Sequence, residues 1–123
     1  MPLDLDNNQA KYQIRAYQPG AIVVNELKLT HSIIVGPDQL IDNWRPQSVA
    51  DLQVSDFDII INAKPAILLI GTGAQQIFID TTLYGNLINL GIGVELMDTS
   101  AACRTFNALT AENRHVMAAL LIR

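Results

Sequence analysis

Two continuous apolar runs, AILLI at residues 66–70 and VMAALLI within the stretch HVMAALLI at 115–122, set the strongest limits on the fold of this chain. Runs of this length without polar alternation are typical of strands covered on both faces, as in parallel sheets. Between them, IGVELMD at 92–98 predicts another strand, and helix patterns flank it. Alternation of strand and helix over residues 66–122 implies βαβ crossovers around a parallel core.

Helix signals lie on both sides of the strand at 92–98. Asp80 can cap a helix that Gly91 ends, and its apolar residues fall at helical spacing. These residues are Leu83, Leu87 and Leu90. A second helix is predicted over 99–111. Earlier in the chain, SDFDIIINAKP favours a short helix that begins at Ser55 or Asp56 and ends at Pro65, with strand as the alternative because of its three isoleucines.

The first 36 residues have the composition of a β-meander. The stretch YQIRAYQ alternates as a half-buried strand does. One face carries Tyr12, Ile14 and Ala16, and the other carries Gln13, Arg15 and Tyr17. Pro19-Gly20 fits the centre of a type II turn, and HSIIVG continues the meander. Trp44 lies between two prolines, and we favour a core position for it over a surface anchor.

Length and composition indicate one domain over residues 1–123, with residues 1–10 a frayed terminus. The net charge of −4 gives no basic surface for phosphate backbones, so no nucleic-acid partner is expected. A single cysteine excludes an internal disulfide, and neither a signal nor a transit peptide is recognisable.

The longest apolar runs fall short of the roughly 20 residues of a membrane span. We therefore expect a cytoplasmic protein.

Two loops follow strands at positions where α/β sheets bind ligands. They are Gly71-Thr72-Gly73 and Asp98-Thr99-Ser100. The first invites interpretation as a phosphate loop, because glycines let backbone N–H groups approach an anion. Gln76 stands where a dinucleotide motif has its third glycine, and no Gly-Lys-Ser/Thr follows. A structural turn is therefore the favoured interpretation.

The predicted helix at 99–111 carries a polar flank beside its apolar stripe. Steps of three and four residues place Ser100, Cys103, Arg104 and Asn107 together on that flank. Cys103 is either a small core hydrophobe or a thiol activated by Arg104 and the helix N-terminus. A cysteine nucleophile needs a base, and His115 is expected at the opposite end of the sheet. His31 lies in the meander. We therefore expect no catalytic residue, no metal site and no cofactor.

Three segments resemble the mitochondrial complex I assembly factor three family and its bacterial and archaeal relatives. They are LLIGTG at 68–73, GIGVELMDTSAACRTFNAL at 91–109 and ENRHVMAALL at 112–121. The stretch RPQSVADL at 45–52 agrees more loosely. The matching motif positions are Gly71, Thr72, Gly73, Asp98, Thr99, Ala102, Cys103, Arg104 and Asn107. Asn113 replaces a common glycine, and asparagine preserves a left-handed turn; Gln75 and Gln76 replace common basic residues.

The resemblance implies a three-layer α/β domain with a small, largely parallel central sheet flanked by helices and an extra N-terminal β layer. It also implies binding to a protein partner, such as respiratory-complex assembly components, without catalysis. Lack of a mitochondrial leader indicates a prokaryotic member. The alternative function is a small-molecule or anion-binding enzyme with its site between Gly71–Gly73 and the helix near Thr99. A third hypothesis is homo-oligomerisation through the meander edge.

Overall fold

A computed structural model describes residues 10–123. The frayed terminus expected over residues 1–10 therefore lies, except for Ala10, outside the described residues. The first strands form a three-stranded antiparallel sheet in the order β1-β2-β3. They are β1 (Ile14–Gln18), β2 (Ala21–Val24) and β3 (Leu27–Leu29). Gly20, with φ of +92°, supplies the left-handed residue that the predicted Pro19-Gly20 turn requires.

A five-stranded mixed sheet lies at the centre, in the order β5-β4-β8-β6-β7. Its strands are β4 (Ile33–Val35), β5 (Leu40–Ile41), β6 (Ile67–Gly71), β7 (Gly93–Met97) and β8 (Val116–Leu120). The pairs β6·β7 and β6·β8 are parallel, as predicted, whereas β4·β8 and β4·β5 are antiparallel. The description "largely parallel" is thus wrong, because half of the pairings are antiparallel.

Strand β4 explains that difference. The sequence places HSIIVG in the N-terminal meander, but β4 leaves the three-stranded sheet and pairs with β8 in the central one. All three residues of β4 are buried, so both faces of the strand are covered. A strand buried on both faces belongs inside a central sheet, whereas a meander strand with one solvent face alternates.

Within residues 10–123, three α-helices accompany the sheets: α1 (Asp58–Ala63), α2 (Gly85–Asn89) and α3 (Thr99–Ala111). The bounds of α3 confirm the predicted helix. The helix predicted between Asp80 and Gly91 is instead a 3₁₀ turn over Thr81–Leu83 followed by α2. Gly85 begins α2 and weakens a continuous helix at that point, and Leu90 remains 60% exposed.

The central sheet separates two apolar cores. On one face, α3 and the three-stranded sheet cover residues such as Leu69, Ala118 and Leu120. On the other face, α1, α2 and the 44–57 segment cover Leu68, Ile70 and Met117. The arrangement is a mixed α/β architecture in which the N-terminal β layer, the central sheet and a helical layer stack upon one another.

A β-bulge in β1 changes which side chains reach the core. Ile14 pairs with Val24 and Ala16 with Val23, so Arg15 is the extra residue. Beyond the bulge the alternation shifts by one position. Tyr17, and not Ala16, therefore packs on the core with Ile14. The predicted face of Tyr12, Ile14 and Ala16 is correct only before the bulge.

Trp44 is a core residue, as favoured from the sequence, with 4% of its surface exposed. Its indole N–H donates to the Asp56 backbone carbonyl (3.0 Å), and its ring packs against Phe57 at 5.8 Å between centroids. Arg45 then pairs with the Asp56 carboxylate, at 2.8 Å from Nε and 2.7 Å from Nη2. Asp56 also accepts the Gln53 N–H at 2.8 Å. This pairing ties the irregular 44–57 segment together.

We expect the Asp56→Asn variant to be less stable at pH 7 by about 1–2 kcal/mol, because Arg45 is half exposed and its pairing is partly screened. Arg45 hydrogen bonds, opposed by burial, hold the pKa of Asp56 below its usual range. The carboxylate therefore contributes stability above about pH 4, and this is lost as pH falls through the lowered pKa. Urea unfolding of the wild type and the variant at pH 7 and pH 3 measures the difference in their free energies of unfolding. A difference that persists undiminished at pH 3 contradicts the account.

Candidate functional site

The two predicted loops meet, because β6 and β7 are parallel neighbours. The Thr72 N–H donates to the Met97 carbonyl (2.8 Å), and the Thr99 N–H donates to the Gly73 carbonyl (2.9 Å). A Cβ on Gly71 would lie 2.8 Å from Thr99 Oγ1 and 2.9 Å from its Cα. Glycine is therefore required where the end of β6 passes the start of α3. Gly73, with φ of +101°, is equally constrained against Arg123.

Hydroxyl groups engage the polar atoms of this junction. Thr99 Oγ1 accepts the Gly73 N–H (2.8 Å) and donates to the Leu121 carbonyl (2.9 Å). Thr72 Oγ1 donates to the Gln75 carbonyl (2.6 Å) and accepts the Ile77 N–H (3.1 Å). Both threonines are fully buried. The Gly73 N–H, which a phosphate loop would direct at an anion, is satisfied within the protein.

Asp98 caps α3 by accepting the Ala101 N–H at 2.8 Å. This is an ordinary N-cap, in which a side-chain oxygen satisfies a donor of the first helical turn. Ser100, the next residue but one, is exposed on the same turn. Of the predicted site residues, Gly71, Thr72, Gly73, Asp98 and Thr99 thus build the junction between strands and helix.

The remaining site residues face a cavity of about 170 Å³ between α3 and the bulge of β1. Its walls are Ser100, Cys103, Arg104 and Asn107 from α3, and Ile14, Arg15, Ala16 and Tyr17 from β1. Asn107 clamps the two elements, since its Oδ1 accepts the Ile14 N–H (3.0 Å) and its Nδ2 donates to the Ile14 carbonyl (2.7 Å). The sequence did not indicate the contribution of β1, because a bulge leaves no periodic signal.

Burial raises the pKa of the Cys103 thiol to about 12. The neighbouring Arg104 lowers this pKa and Asp98 raises it, but burial is the larger effect. The side chain is 6% exposed, and neither histidine lines its cavity. The thiol is therefore protonated at neutral pH, as expected for a small core hydrophobe.

Within residues 10–123, no group of three or more His, Cys, Asp or Glu side chains is arranged to hold a metal ion.

An exposed apolar surface, which sequence reasoning missed, lies at the edge of the central sheet. Phe78 is 82% exposed and Ile77 is 44% exposed. With Leu96 of β7 and Tyr84 they line a groove of about 350 Å³. We call this the Phe78 groove. The available signal was the run Ile77-Phe78-Ile79 between polar neighbours, in which only Ile79 is buried.

Strand β7 borders this groove with an open side. The Gly93 N–H donates to Ala66 and the Met97 carbonyl accepts from Thr72, so residues 93, 95 and 97 face β6. The backbone groups of Val94 and Leu96 consequently point away from β6. No other strand of residues 10–123 pairs with β7. An open edge of this kind is a template for a further strand.

We expect Cys103 to be alkylated by iodoacetamide at pH 8 more than about 100-fold more slowly in the native protein than in urea, where its pKa returns to about 8.5. The native rate should stay low up to pH 10, because burial opposes ionisation. A native rate equal to that of the unfolded chain, with a half-point near pH 7, would show an activated thiol and contradict this account.

Comparison with known proteins places the chain among relatives of two kinds. The "13 kDa major membrane protein" of Francisella tularensis is 28% identical over 117 residues, covering 94% of this chain and 95% of that protein. The "NADH dehydrogenase (ubiquinone) 1 alpha subcomplex assembly factor 3" of Danio rerio is 32% identical over 110 residues, covering 88% of this chain. The chain spans 63% of that assembly factor.

Solved structures agree with the fold. A crystal structure from Bordetella parapertussis shares 39% identity and a TM-score of 0.84, covering 91% of this chain and 96% of that one. A Bartonella henselae structure described as an outer membrane protein shares 30% identity and a TM-score of 0.80, covering 92% and 96%. In the described part of the present chain, no helix is both long and apolar enough to cross a bilayer.

The model of one family covers most of the chain. It is described as "Protein of unknown function (DUF498/DUF598)" and matches residues 14–121. This range includes every strand and helix given above. The chain belongs to the DUF498/DUF598 family and is related to proteins named as assembly factor 3 of the NADH dehydrogenase (ubiquinone) 1 alpha subcomplex.

Proposed function

We propose that this chain is a non-enzymatic protein-binding factor that acts in the assembly of a respiratory NADH dehydrogenase. Its relationship to animal proteins named as assembly factors of that enzyme supports the proposal. Those proteins are longer, and the chain spans 65% of the Xenopus tropicalis one. The shared part contains the whole α/β fold, so the proposal assigns the binding role to this fold.

The Phe78 groove beside the open edge of β7 carries the proposal. Phe78 is 82% exposed, so a partner that covers it removes a large apolar surface from water, which favours binding. The backbone groups of Val94 and Leu96 can pair with an extended segment, while the groove receives an apolar side chain of that segment. The proposed partner therefore presents an extended, apolar segment that adds a strand to β7.

The alternative, an enzyme with its site between Gly71–Gly73 and Thr99, has weaker support. The Gly73 N–H and the threonine hydroxyls already have partners within the protein. The Cys103 thiol is buried and its pKa is about 12.

The cytoplasmic location stays a prediction, and two relatives are named as membrane proteins. Partner searches should therefore sample membranes as well as the soluble fraction.

We expect Phe78→Ser to abolish capture of NADH dehydrogenase subunits or their assembly proteins. The measurement is affinity purification from the encoding organism's lysate and detergent-solubilised membranes, followed by mass spectrometry. Leu27→Ser is the matched control, because Leu27 is 56% exposed but lies on β3 in the other sheet. It should capture the same proteins as the wild type.

A second variant tests strand addition. Val94→Pro removes an N–H that points away from β6 and leaves the β6 pairing intact, which an edge strand tolerates. We expect it to weaken capture at least as strongly as Phe78→Ser, with thermal unfolding confirming that both variants are folded. The proposal is contradicted if folded Phe78→Ser captures the same subunits as the wild type, or if the wild type captures no protein of that complex.

A further inference from the structure

The cavity between α3 and the β1 bulge, which we call the bulge cavity, has two arginines on its rim. Arg15 is the extra residue of the bulge, and Arg104 comes from the polar flank of α3. Both side chains are exposed. A bulge re-aims the side chain of its extra residue, and here Arg15 of the bulge and Arg104 of α3 line the same cavity.

Neither arginine is neutralised within residues 10–123. The ion pair found there joins Arg45 to Asp56. Arg104 Nη1 donates to Ser100 Oγ at 2.8 Å, which is a neutral partner. Within residues 10–123, Asp98 forms no ion pair with either arginine. Its carboxylate accepts the Ala101 N–H at 2.8 Å and keeps its negative charge.

Further hydrogen-bond donors lie at the same cavity. Ser100 offers its hydroxyl, and its backbone N–H has no acceptor in the described part of the chain. Tyr17 contributes a hydroxyl whose contact with the Ile122 carbonyl is long, at 3.4 Å. Guanidinium groups bind carboxylate and phosphate oxygens through paired N–H bonds. The cavity volume of about 170 Å³ accommodates one such group and excludes a nucleotide.

We propose that the bulge cavity binds a single oxyanionic group, a carboxylate or a phosphate, between Arg15 and Arg104, with Ser100 as a further donor. This site differs from the one between Gly71–Gly73 and Thr99, where the donors are internally engaged. It also lies on other elements than the Phe78 groove. Its failure would therefore leave the partner-binding proposal standing, and the reverse also holds.

The test is a titration of the ¹⁵N-labelled protein with sodium phosphate and, separately, sodium acetate, against sodium chloride at matched ionic strength. We expect saturable shifts of the amide signals of residues 14–17 and 100–107 with at least one of the two anions, and none with chloride. The anion that saturates at the lower concentration identifies the source as phosphate or carboxylate.

Variants fix the location of the site. Arg15→Gln and Arg104→Gln should each weaken binding about tenfold, as expected for loss of one charged hydrogen-bond donor. Arg114→Gln removes the same charge from an exposed arginine just before β8 and should leave the affinity unchanged. The ¹⁵N spectra report whether each variant is folded. Shifts that match those with chloride, or that survive in both folded Arg15→Gln and Arg104→Gln, overturn the proposal.

Discussion

The buried hydroxyl of Thr99 forms two hydrogen bonds that join α3 to the central sheet. It accepts the Gly73 N–H from the loop after β6 and donates to the Leu121 carbonyl after β8. One buried atom thereby joins two central strands to the start of α3. Leaving either backbone group unpaired in this position would cost about 1–3 kcal/mol. The close approach that makes both bonds reachable also explains why Gly71 has no room for a side chain.

This junction gives the motif Asp98-Thr99 and the motif Gly71-Thr72-Gly73 a shared structural purpose. Asp98 caps α3, Thr99 holds α3 to the strands, and the glycines allow the contact. Surfaces that face outward lie elsewhere. The bulge cavity opens between β1 and α3, and the Phe78 groove lies at the edge of β7. This chain therefore combines a closed junction with two separate outward-facing surfaces.

Sequence reasoning recovered the elements whose signals are local. The bounds of α3 followed from a capping Asp98 and an apolar stripe, and Asn113 adopts the expected left-handed turn with φ of 61°. The placement of β4 failed because the choice between two sheets depends on long-range pairing with β8, which β-type composition cannot encode. The helix predicted from Asp80 was too long for a different, local reason, because Gly85 separates a 3₁₀ turn from α2.

The sequence predicted which residues of α3 lie together at the candidate site, but not which residues of other elements lie opposite them. Spacing placed Ser100, Cys103, Arg104 and Asn107 on one flank of α3, and they do share a cavity wall. Spacing gave no information on what stands opposite, because Arg15 and Tyr17 reach that cavity through a bulge. The exposure of Phe78 was missed because large aromatic side chains are more often buried than exposed. The run Ile77-Phe78-Ile79 marks an apolar segment but does not show which of its residues face the core.

Native-state hydrogen exchange of individual backbone amides distinguishes a closed junction at Thr99 from an open edge at β7. If the junction is closed and the β7 edge is open, the Gly73 and Thr99 amides exchange only with global unfolding. The Val94 and Leu96 amides then exchange far faster, although they belong to a strand of the central sheet. Rapid exchange at Gly73 and Thr99, together with protection at Val94 and Leu96, would contradict the account.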